Sequence, residues 1–70
     1  MTFDVADELI HTIQTTVNVQ IKLGAIQGLG ELGDAKSLEA LRATLKSSTN
    51  VELRAAAAKA LGRAGYLYRN

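Results

Sequence analysis

The chain repeats itself. At an offset of 32 residues, segments 18–33 (NVQIKLGAIQGLGELG) and 50–65 (NVELRAAAAKALGRAG) align without a gap. Asn18/Asn50, Val19/Val51, Ala25/Ala57, Leu29/Leu61, Gly30/Gly62 and Gly33/Gly65 are identical, and Gln20/Glu52, Ile21/Leu53 and Lys22/Arg54 match in shape or charge. The same offset carries Leu9 onto Leu41, Thr12 onto Thr44 and Ile13 onto Leu45. A period of this length, with Asn and Gly recurring at element ends, is the mark of stacked structural repeats rather than of one irregular core.

Helical spacing of the apolar residues divides the chain into four helices. The first runs from about Phe3 to Thr16, with Phe3, Ala6, Ile10, Ile13 and Val17 on one stripe, Leu9 widening it, Thr2 as its cap and Asp4 in its first turn. The second runs from about Val19 to Leu32 and ends at Gly33, a residue suited to the left-handed conformation. Asp34 caps the third, about Ala35 to Ser47, in which Leu38, Leu41, Arg42 and Leu45 follow one side. The fourth spans about Asn50 to Ala64, with Thr49 and Glu52 at capping-box spacing and Gly65 as its end.

Connections of two or three residues force antiparallel neighbours. The expected architecture is therefore all-α: a single domain over residues 1–70, a short αα-solenoid of two repeats (about 2–33 and 34–65) in a B–A–B–A frame, followed by an aromatic tail, 66–70. The second and fourth helices are apolar or small on nearly all sides, as a helix flanked on two sides must be. Gly24 and Gly28 lie four apart on one face and are expected to mark a close helix–helix contact.

Composition narrows the function classes. There is no Cys, Pro or Trp, so a disulfide framework and thiolate metal sites are excluded and a reducing, cytoplasmic setting is expected. No stretch approaches the ~18 apolar residues of a membrane span. With only Phe3, Tyr66 and Tyr68 as aromatics, the core is built from Leu, Ile, Val and Ala, and so small a core supplies about 3–5 kcal/mol. The net charge of +1 conceals an asymmetry. Residues 1–35 carry Asp4, Asp7, Glu8, Glu31 and Asp34 against Lys22, a net of −4. Residues 36–70 carry Lys36, Arg42, Lys46, Arg54, Lys59, Arg63 and Arg69 against Glu39 and Glu52, a net of +5.

These residues resemble a known family. NVELRAAAAKALGRAG, followed in the other copy by DAKSLEALRATLK, is similar to HEAT-like repeats of the phycobilisome-lyase type, with their V-R-x-x-A-A-x-A-L-G-x-L-G-D core and Leu-x-x-Leu-x-x-x-Leu helix. Leu53, Arg54, Ala57, Ala60, Leu61, Gly62 and Gly65 match the first part in one copy, and Gly30, Leu32, Gly33 and Asp34 match it in the other. Leu38, Leu41 and Leu45 match the second part. The likeness covers about Ala6 to Gly65. It departs from the pattern in lacking a proline before the first helix of the repeat and in placing Gly24 and Gly28 where alanine is usual. The resemblance implies a stacked, protein-binding surface, a structural role for Lys22 and Arg54, and a place among phycobilisome-related factors, some of which are bilin lyases.

Chemistry is scarce. His11, the only imidazole, lies beyond Asp7 and Glu8 on one helix flank. A carboxylate–histidine site is weaker than the reading of a solvated face, because a closed zinc site takes four ligands and no second His or Cys exists. No Ser-His-Asp set or phosphate loop is present, and Gly28-Leu29-Gly30 lies within a helix with no preceding strand. Lys59 and Arg63 share a helix face, and with Tyr66, Tyr68 and Arg69 they are the candidate interaction residues. The tail is open to two readings, a partner contact or a cover folded over the solenoid end. A basic half that contacts nucleic-acid phosphates is the weaker alternative, since the whole chain is nearly neutral.

The expected function is a non-catalytic protein–protein interaction module, a small scaffold or chaperone-like factor without cofactor or metal. The alternatives are a bilin lyase subunit or bilin-binding accessory, and a phosphate-backbone binder. Two repeats are fewer than the three a free-standing solenoid wants, so the expected partner is a larger protein or a second copy. An antiparallel side-by-side dimer would set −4 against +5 twice. For His11→Ala, the expected outcome is a thermal melt within about 0.5 kcal/mol of the parent, as for other featureless surface changes. A larger loss would restore a role for the imidazole.

Overall fold

The computed structural model describes residues 4–69. Four helices occur in order: α1 (Val5–Thr15), α2 (Val19–Leu32), α3 (Ala35–Ser47) and α4 (Val51–Arg69). No strand occurs among the described residues. Thr2 and Phe3, expected to cap and to enter the first helix, lie outside the described residues, as does Asn70 of the tail.

Each helix opens on an Asx cap. The Oδ1 atoms of Asp4, Asn18, Asp34 and Asn50 accept from the N–H three residues on, at 3.2, 3.0, 2.8 and 3.0 Å. Such a bond satisfies one of the N–H groups that a helix start leaves without an internal partner. Asp4 is thus the cap of α1 rather than a first-turn residue. Asn50, the repeat mate of Asn18, caps α4, and this corrects the Thr49–Glu52 capping box. Ser48 Oγ accepts from the Asn50 N–H at 3.2 Å, as Thr16 Oγ1 does from Asn18, so the two three-residue turns are built alike.

α1 and α3 form one layer, α2 and α4 the other. α2 packs on α1 and on α4, while α4 packs on α2 and α3; α1 and α3 touch only lightly. The hairpins α1–α2 and α3–α4 therefore stack through α2 and α4, as a two-repeat solenoid requires. Ile26, Leu29 and Leu41 are fully buried at the centre, with Ala6, Ala57, Ala60 and Ala64 closing the space between helices.

The glycines sort differently from the sequence expectation. A Cβ at Gly30 would stand 2.9 Å from Ala60 Cβ, 3.1 Å from its Cα and 3.2 Å from its carbonyl oxygen, so α2 and α4 approach most closely there. Gly33 takes φ 64° at the α2–α3 turn and lies directly under Leu67. Gly28 faces only the methyl end of the Leu9 side chain on α1. Gly24 faces open space, which corrects its assignment to a close helix contact. Side-chain periodicity gives the face of a residue but not the neighbour over it.

Two boundaries also differ. Val17 belongs to the α1–α2 turn and is almost fully exposed rather than part of the apolar stripe. α4 continues through Gly65 to Arg69, so Gly65 does not end it and no tail folds back over the solenoid end. Gly33 ends α2 because Asp34 immediately caps a new helix. Gly65 precedes Tyr-Leu-Tyr-Arg, which offers no cap and continues the helix, placing Leu67 on Gly33.

Gly30→Ala is expected to lose about 1–3 kcal/mol through overpacking against backbone, whereas Gly24→Ala is expected to gain up to about 1 kcal/mol from helix propensity. Urea titration monitored by circular dichroism separates the two. Equal effects would show that Gly30 is not the point of closest approach.

Candidate interaction groove

Along the outer side of the α2–α4 pair runs an open groove of about 620 Å³. α2 contributes Leu23, Gln27 and Glu31; α4 contributes Glu52, Ala55, Lys59 and Arg63; Gly30 and Ala60 lie at its floor. The groove exists because the smallest residues sit where the two helices meet, so the flanking side chains rise on either side.

Lys59 and Arg63, expected to share a face, both line this groove. Arg63 Nη2 lies 3.5 Å from Glu31 Oε1 across it. The groove therefore carries two acidic and two basic side chains over an apolar floor, a balanced surface rather than a phosphate-binding strip. Tyr66, Tyr68 and Arg69 are exposed on the last turns of α4, outside the groove lining. Glu31 and Glu52 were missed as groove residues. The repeat offset could have found Glu31, because it is the mate of Arg63.

Other basic side chains serve the fold. Lys36 Nζ bonds Asp4 Oδ2 at 2.8 Å and Asp7 Oδ1 at 2.9 Å, tying the start of α3 to the start of α1. Arg54 Nε donates to the Leu45 carbonyl at 3.1 Å, joining α4 to the end of α3, which is the structural role the resemblance implied. The Asp4 carboxyl is held below its usual value, first by the Lys36 hydrogen bond and then by the Asp7 N–H, while the Lys36 ammonium is pushed up by Asp4 and Asp7. The Asp34 carboxyl is also lowered, by the neighbouring Ser37 hydroxyl and by the Ser37 N–H. That hydroxyl lies beside the carboxylate without meeting hydrogen-bond geometry, so Ser37 Oγ is buried without a partner of proper geometry. His11 is exposed, and no cluster of three metal-ligating side chains occurs among the described residues.

A family model described as HEAT repeats matches residues 6–67, nearly the whole chain. The chain belongs to the HEAT repeat family. No curated protein and no solved structure matches it. HEAT repeats generally mediate protein–protein interaction. No helix among the described residues is long and apolar enough to cross a membrane.

A carboxylate whose pKa falls on folding stabilises the fold above its unfolded pKa, and that stabilisation is lost as pH drops through the folded value. The acid limb of stability, below about pH 4, is therefore expected to be shallower in Asp4→Asn, which keeps the cap but not the charge. Melting temperature against pH checks this; identical slopes would show that the Lys36 pairing carries no weight.

Proposed function

We propose that this HEAT repeat chain is a non-catalytic adaptor that binds another protein through the α2–α4 groove. The observation that carries the reading is the groove itself. Its floor at Gly30 and Ala60, flanked by the apolar Leu23 and Ala55, is rimmed by Glu31, Glu52, Lys59 and Arg63. An amphipathic helix or extended segment with charges of both signs suits this surface: an apolar stripe covers the floor and the rim fixes register.

The likeness of the sequence to repeats of the phycobilisome-lyase type makes phycobiliprotein assembly the partner class to test first. The bilin lyase alternative asks for a chromophore-enclosing cleft. The molecule spans 30 × 29 × 16 Å and its groove is open along its length, which favours a protein ligand over an enclosed one. The nucleic-acid alternative is disfavoured by the acidic side chains in the same groove and by the use of Lys36, Arg54 and Arg63 in contacts within the fold.

Calorimetric titration with apo-phycobiliprotein subunits and with duplex DNA, and absorbance titration with a free bilin, test the three readings. Binding to the apo-subunits is expected, weakened about fivefold or more by Lys59→Glu, with no change in the bilin absorbance. No binding to the apo-subunits removes the phycobiliprotein role. A shifted bilin band supports the lyase reading instead, and a steep loss of DNA binding with salt supports the phosphate reading.

A further inference from the structure

Each half of the junction between the two repeats has a set of repeat mates on the far side of the molecule, most of them exposed. Inside the junction Gly30 of α2 meets Ala60 of α4, and Val19 and Ile26 of α2 share one core with Leu53 and Ala64 of α4. Adding 32 to the α2 residues gives Val51, Ala58 and Gly62, on the side of α4 that faces away from α2. Subtracting 32 from the α4 residues gives Ile21, Gly28 and Leu32; Ile21 and Leu32 are exposed, while Gly28 is half-buried beneath the Leu9 side chain of α1.

Exposure depends on the side, not on the residue type. Ile26 is fully buried, whereas its mate Ala58 is exposed. Val19 packs against the core, whereas its mate Val51 is 79% exposed. Leu53 is 6% exposed and its mate Ile21 51%; Ala64 is buried and its mate Leu32 is 39% exposed. A Cβ at Gly30 meets Ala60, but one at Gly62 meets nothing. The large aliphatic residues Ile21, Leu32 and Val51 are thus exposed at positions whose repeat mates are covered.

Charge selects what can cover them. Two of the three ion pairs that bridge the repeats among the described residues join equivalent positions: Asp4 with Lys36 and Glu31 with Arg63 are each 32 apart, while Asp7 with Lys36 is offset from that register. If the α2 end of a second copy is stacked on the α4 end of the first, the residues brought together by the same register are again Lys36 with Asp4 and Arg63 with Glu31. Each pair recurs with its signs exchanged between the two sides and remains attractive. Two α2 ends set face to face would oppose Asp4 to Asp4 and Glu31 to Glu31, and two α4 ends would oppose Lys36 and Arg63 to themselves.

We infer that a second copy of this chain occupies the exposed α4 face, stacked head to tail so that Val51 and Ala58 meet its Ile21 and Leu32. Such an interface joins two different patches and leaves one of each free at the ends, so it propagates unless it closes into a ring. This replaces the side-by-side antiparallel dimer, in which the exposed aliphatic residues at both ends would stay in water. The stack extends the α2–α4 groove from copy to copy, with Lys59 leading on to Gln27 of the next copy.

The test uses two chains, each blocked at one end. Ala58→Glu places a carboxylate on the exposed α4 face, and Ile21→Glu places one on the exposed α2 face; Gly62→Glu and Leu32→Glu are second variants at the same ends. Circular dichroism identifies the folded member of each pair, and sedimentation velocity over a concentration series reads mass. The parent chain is expected to rise past two chains without a plateau. Each variant alone is expected to stay a monomer, with association weakened about tenfold or more. The two variants mixed are expected to form a two-chain species and nothing larger, because only one junction has both faces intact. Three results overturn the proposal: a parent that stays monomeric throughout, a parent that stops at two chains, or a singly blocked variant that still pairs with itself.

Discussion

The close approach of α2 and α4 at Gly30 and Ala60 sets the rest of the molecule. Because a hydrogen stands where a side chain would, the two backbones draw together, and the alanines at 57, 60 and 64 extend the contact along α4. Ile26 and Leu29 are then sealed from water, and Leu67 can lie over the Gly33 turn. The groove on the outer side is the geometric consequence of the same choice: small residues at the line of contact leave larger ones standing at its margins. One contact thus supplies both the stability of a chain with few aromatics and the surface by which it is read as an adaptor.

Repetition made most of the fold legible. The offset of 32 showed two stacked units, and apolar spacing with the local Gly33 and Asp34 signals placed the four helices and the turn between α2 and α3. The pattern hid which neighbour each face meets. Gly24, Gly28 and Gly30 all look like packing residues in a helical pattern, yet only Gly30 lies under backbone from α4. Gly65 looks like Gly33, but the next residue decides whether a helix ends: Asp34 caps a new one, and Tyr66 does not. The α4 cap was legible after all, since Asn50 is the mate of Asn18.

The candidate site was legible by halves. Lys59 and Arg63 were found by charge and spacing, but their opponents Glu31 and Glu52 were not, because the opposing helix wall is a tertiary fact. Once Arg63 is seen to pair with its own repeat mate, the charge asymmetry acquires a structural meaning. At two positions a basic residue of the second repeat answers its acidic mate in the first, Lys36 with Asp4 and Arg63 with Glu31. Of the basic residues in the second half, Lys36, Arg54 and Arg63 are engaged within the fold.

Repeat ends that are mates of the inner junction must respond together when chains meet. Backbone amide shifts recorded by NMR along a dilution series test this most directly. The result expected is a coupled movement of Ile21 and Leu32 on α2 with Val51, Ala58 and Gly62 on α4, while Ile26, Leu29 and Leu53 stay fixed. Shifts confined to the groove residues Gln27, Lys59 and Arg63, or to Tyr66–Arg69, with the two ends unmoved, would contradict it.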